Sequence, residues 1–76
     1  MIDPAEGAFA ITPSDTENFD EDTRAIFVGV SGNLKVTMAN GDTVTFTGVL
    51  GGMVYPLRVR KVWDDGTSAE SLVGLY

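Results

Sequence analysis

The sequence predicts an all-β fold: a compact sandwich or barrel of five to seven short antiparallel strands with an extended N-terminal arm. Three observations carry this. Runs rich in Val and Thr alternate apolar and polar residues with period two. Turn signals built from Gly, Asn and Asp recur about every ten residues. The charge pattern breaks at Arg24: residues 1–23 hold seven acids and no base, whereas residues 24–76 hold five bases against four acids. The net charge of −6 is therefore −7 from the first stretch and +1 from the second. The chain reads as an acidic arm, 1–23, ahead of a β domain, 24–76. Such an arm either docks on a neighbouring subunit or trails as a solvated leader.

Length constrains the fold further. A single domain of 76 residues buries only about 60% of the surface its unfolded chain exposes. Small domains usually add disulfides, a structural metal or a partner subunit. Cys and His are both absent, so disulfides are excluded and an ordinary zinc site has no ligands. Oligomerisation is the staple left open. No apolar run approaches the roughly 18 residues of a membrane helix, and the leader lacks the basic and apolar regions of a signal peptide. A soluble, unexported chain is expected.

The strands follow in order. Arg24 to Val30 is almost continuously apolar, as in a strand covered on both faces, and the turn cluster Ser31-Gly32-Asn33 ends it. Leu34 to Met38 then alternates, with Leu34, Val36 and Met38 on one face. After Asn40-Gly41 the alternation resumes, Val44 and Phe46 against Thr43, Thr45 and Thr47. A two-residue Asn40-Gly41 loop would set Val36 opposite Thr45 and mix polar with apolar on each face. A three-residue loop, Ala39-Asn40-Gly41, pairs Val36 with Val44 and Leu34 with Phe46. It also gives Gly41 the left-handed position of a type I turn plus bulge. The three-residue loop is the expected one.

Beyond Gly51-Gly52 a fourth run spans Val54 to Trp63. Unbroken alternation places Tyr55, Leu57, Val59 and Trp63 on one face and Arg58 and Arg60 on the other. Pro56 cannot donate to a ladder, so the strand starts late or lies at an edge there. Asp64-Asp65-Gly66-Thr67 is a turn, and Leu72 to Tyr76 a closing strand. The arm offers one helical candidate, Thr16 to Phe19, capped by Ser14 or Asp15. Ile26, Val36, Phe46 and Val59 are the expected core, and Tyr55 and Trp63 are expected to pack rather than stack on a ligand.

Chemistry is sparse. Without His and Cys the commonest general base and activated nucleophile are missing, and no serine has an evident activating partner. The glycines mark strand ends and turns rather than a phosphate loop, so no catalytic site and no cofactor are expected. Glu17, Asp20 and Asp22 offer oxygen ligands, but their spacing lacks the central glycine and closing Glu of a calcium loop. No metal site is expected. Arg58, Arg60 and Lys61 lie near Tyr55 and Trp63, yet a pI near 4.1 opposes the counterion release that drives nucleic-acid binding. Neither nucleic acid nor a membrane is expected as a partner.

Several segments in sequence carry a family likeness. Ala10-Ile11-Thr12-Pro13-Ser14-Asp15, then Arg24 to Asn33, Val44 to Val49, Pro56-Leu57-Arg58-Val59 and Gly66-Thr67-Ser68-Ala69 resemble the head-spike base proteins of phages and gene transfer agents. The likeness spans Phe9 to Tyr76; each segment is generic β sequence, and their order and spacing give it specificity. It implies a virion structural protein without a catalytic site, assembled in the bacterial cytoplasm. Its copies would form a homo-oligomeric ring on the capsid exterior, contacting capsid protein and seating a spike or fibre. The competing expectation is a stand-alone β-barrel binding module. In an oligomer, Phe9 and Ile11 would give the arm an apolar segment to bury on a neighbour, and Arg58, Arg60 and Lys61 would receive its acids.

Overall fold

The computed structural model describes residues 5–76; Asp3, counted above among the arm's acids, lies outside them. Seven strands follow in chain order: β1 (Ala8–Ala10), β2 (Ala25–Val28), β3 (Gly32–Met38), β4 (Thr43–Val49), β5 (Met53–Tyr55), β6 (Val59–Val62) and β7 (Val73–Leu75). They form two antiparallel sheets, one ordered β1-β7-β2-β5 and the other β4-β3-β6. No helix occurs among the described residues. The all-β class follows from the sequence as expected.

The core fills from both sheets. Ile26 and Val28 of β2 meet Leu34 and Val36 of β3 and Val59 and Val62 of β6, all fully buried or nearly so. Ile11, Val49, Ala69 and Leu72 complete the cluster. Three of the four expected core residues lie at its centre. Phe46 is half-buried and packs at the margin, because β4 is the outermost strand of its sheet.

The β3–β4 hairpin has the expected register, Val36 opposite Val44 and Leu34 opposite Phe46. The Met38 N–H donates to Asp42 O at 2.7 Å, the Gly41 N–H donates to Met38 O at 2.9 Å, and Gly41 has φ +100°. These are the bonds of the three-residue loop, and glycine takes that φ without a Cβ clash.

The fourth run departs from its expected form. It breaks at Pro56 into β5 and β6, which belong to different sheets. Proline has no N–H for the ladder, so the chain crosses between sheets where the ladder is already interrupted. A bulge then alters the alternation. Met38 pairs with Val59 and Thr37 with Lys61, so Arg60 is an extra residue against β3. The bulge reverses the parity after it: Val59 points into the core, while Lys61 and Trp63 lie on the outer face. Trp63 therefore does not share a face with Val59.

The expected helical turn at Thr16 to Phe19 does not form. The Ser14 Oγ still accepts the N–H groups of Thr16 and Glu17, at 3.2 and 3.3 Å, as a cap would. The Phe19 N–H, however, is committed to Arg60 O at 2.7 Å, outside any helical pattern. The apolar segment around Phe9 and Ile11, expected to be buried on a neighbour, finds a partner within the chain. It forms β1, pairing Ala8 with Leu75 and Ala10 with Val73. Gly74 makes this possible, since a Cβ there would lie 2.6 Å from the Phe9 ring.

Replacing Leu34 by Ala is expected to lower stability by about 2–5 kcal/mol, a large share of the roughly 4–11 kcal/mol typical of this length. Val44→Ala, at a position 41% exposed, is expected to cost less than about 1 kcal/mol. Urea unfolding followed by circular dichroism measures both; equal losses would contradict the core described.

Candidate partner-contact site

The acidic stretch is strapped along the edge of β6 by its backbone. The N–H groups of Ser14, Phe19 and Thr23 donate to the carbonyls of Val62, Arg60 and Val59 at 2.9, 2.7 and 3.0 Å. Thr23 is fully buried, and its hydroxyl donates to Leu57 O at 2.8 Å while accepting the Val59 N–H at 3.0 Å. The Asp15 carboxylate accepts the N–H groups of Asp64 and Asp65, at 3.1 and 3.0 Å. Phe19 packs edge-on against Phe9 with ring centres 5.0 Å apart.

The expected contact residues thus have definite places within one chain. Ile11 is buried in the core and Phe9 packs against it, beside Phe19 and Tyr76. Lys61 is only 8% exposed; its Nζ donates to Asp15 O at 2.5 Å and lies 3.5 Å from the Trp63 ring centre. The ring electrons and a carbonyl together stabilise that buried ammonium. Lys35 also contacts the Trp63 ring, and the indole N–H donates to Thr37 Oγ1 at 2.9 Å. Trp63 is engaged in packing by lysines rather than by the apolar neighbours its sequence position suggested. Arg60 donates to Ala39 O and so ties β6 to the hairpin loop. Arg58 is exposed; with Arg24 it lines a polar cleft together with Glu6, Asp20, Glu21 and Asp22. The structure thus gathers Arg58 with arm acids and Lys61 with Asp15, while Phe9 adjoins Asp20, Glu21 and Tyr76 and Ile11 lies in the core.

Two surfaces that the sequence reading missed are better candidates for contact. The first is the outer face of the four-stranded sheet. Register places Ala8, Leu75 and Ala25 in one row and Ala10, Val73, Phe27 and Val54 in the next. Directly opposed residues share a face, so this face carries no polar side chain in its strands. At its β5 margin Val54 is 50% exposed, while Met53, opposite the core residue Val28, is exposed at the rim of the inner face; Val30 and Leu50 are exposed as well. The near-continuous apolar runs at Ala8 to Ile11 and Arg24 to Val30 were the available signal: such runs have both faces apolar. The second surface is β4, whose Thr43, Val44, Thr45 and Thr47 are all exposed.

Comparison with solved structures places this architecture. A chain in the structure titled "Capsid of native GTA particle computed with C5 symmetry" superposes with a TM-score of 0.86 at 37% sequence identity, covering 96% of this chain and 84% of that one. The chain belongs to that gene transfer agent capsid family. No protein-family profile matches the sequence, and no curated protein matches it. Membership makes the chain a virion structural protein of the phage and gene transfer agent type.

The strap is part of the fold, so deleting residues 1–23 of this capsid-family protein is expected to unfold it. A truncated chain with an unchanged β-type circular dichroism spectrum and a cooperative melt would refute that. Thr23→Val, which keeps the shape and removes the hydroxyl, is expected to cost about 1–3 kcal/mol for each backbone group it leaves unpaired, measured by urea unfolding.

Proposed function

We propose that this chain is the base of a head spike: a homo-oligomeric ring on the capsid exterior that seats a spike or fibre. The observation that carries the reading is the 37% identity over 96% of the chain to a component of a gene transfer agent capsid. The ordered sequence likeness to head-spike base proteins narrows the role within that particle. Physical features support it. An 8.1 kDa chain without disulfides leaves Val30, Leu50, Met53 and Val54 exposed and one sheet ending on an uncharged strand edge, features that a subunit of an assembly covers. The role is mechanical: the rigid sandwich supplies contact surfaces, and no step requires a catalytic group.

The purified chain is expected to elute in multi-angle light scattering at several times 8.1 kDa. A persistent monomer would favour a stand-alone binding module instead. Particles produced without this chain are expected to keep intact heads and lose their spikes in electron micrographs. Heads that fail to form would overturn the assignment.

A further inference from the structure

The sheet β4-β3-β6 has two unlike edges. The β6 edge is closed by the three N–H groups of Ser14, Phe19 and Thr23. The β4 edge meets no strand among the described residues. In an antiparallel pair the backbone bonds alternate between the partner and the opposite side. Counting from the Met38 N–H to Asp42 O bond, Val44 and Phe46 bond to β3, and Thr43 and Thr45 turn their N–H and C=O groups outward.

Natural edge strands are commonly blunted by charge, proline, a bulge or short length. β4 runs seven residues without a charged side chain or proline. Its irregularity lies at the far end, where Gly48 has φ +76° and donates to Asn33 Oδ1. Thr43 to Thr47 therefore presents a regular row of strand-forming groups, whose complement is another extended strand.

We propose that the free edge of β4 receives a strand from a second copy of this chain, continuing the three-stranded sheet across a subunit boundary. Charge selects the occupant. Each copy carries −6, so like copies meet most readily where acids are absent, and β4 is such a corridor. A basic foreign partner would be drawn instead to the exposed acids Glu17, Asp20 and Glu21. The inference rests on the ring reading above and specifies one of its contacts.

Thr45→Pro removes an outward N–H that the β3 ladder does not use, and Thr45→Lys adds a charge to the edge. Both are expected to keep the β-type circular dichroism spectrum yet run near 8.1 kDa where the unaltered chain runs at several times that mass. In the assembled unaltered chain, the Thr43 and Thr45 amides are expected to exchange about tenfold more slowly, or slower still, than after dilution to monomer. If the proline variant unfolds, the lysine variant and the amide exchange decide. Folded variants that assemble at the original mass, or amides that stay unprotected in the assembly, overturn the β4 proposal and leave the ring standing. A monomeric unaltered chain overturns both. Protection of Thr45 appearing only when capsid protein is added makes a capsid strand the occupant and overturns the second copy.

Discussion

The Thr23 hydroxyl stands between Leu57 O and Val59 N, just where the chain passes from β5 to β6. A crossover between sheets leaves backbone groups without ladder partners, and burying them unpaired would be costly. Thr23 satisfies two of them at once, and its own N–H satisfies Val59 O. Once it is in place, the preceding residues lie along β6 and close its edge. The closed edge lets the Lys61 ammonium find a carbonyl, and Trp63 then has a cation to pack against. A chain with neither Cys nor His has no covalent or zinc staple available. Backbone bonds from a polar, acidic segment take that place.

This explains how charge and structure diverge in the first 23 residues. The acids make the segment look like a solvated leader, and Glu17, Asp20 and Glu21 do face solvent. Its fold contribution comes from main-chain N–H groups and from Phe9, Ile11, Phe19 and Thr23 spaced between the acids. Apart from the Asp15 carboxylate, which accepts the Asp64 and Asp65 N–H groups, side-chain charge sets the surface, and the backbone and four side chains set the fit.

What was legible in the sequence depended on how local the cause was. The β3–β4 register followed from pairing like with like across a short loop, and Gly41 marked its turn. Ile26, Val36 and Val59 followed from alternation alone. The Arg60 bulge did not, because nothing in Val59 to Trp63 signals an extra residue; it is set by how β6 meets β3. One unseen bulge was enough to put Trp63 on the wrong face and to hide the burial of Lys61. The role of Ala8 to Ile11 was hidden for another reason: its partner β7 lies at the opposite end of the sequence. The apolar outer face was visible only as runs lacking alternation, and register was needed to join them into one surface.

The pairing of Ala8 with Leu75 bears on when the molecule can acquire its structure. The β3–β4 hairpin joins near neighbours and can zip early, whereas β1 must wait for β7 across nearly the whole chain. Such distant pairings are entropically expensive to reach and slow folding. During synthesis, which runs from the N-terminus, the Phe9 ring has no Gly74 to lie over until the last strand has left the ribosome. The four-stranded sheet is therefore completed after translation of β7, and its outer face becomes a finished surface only then.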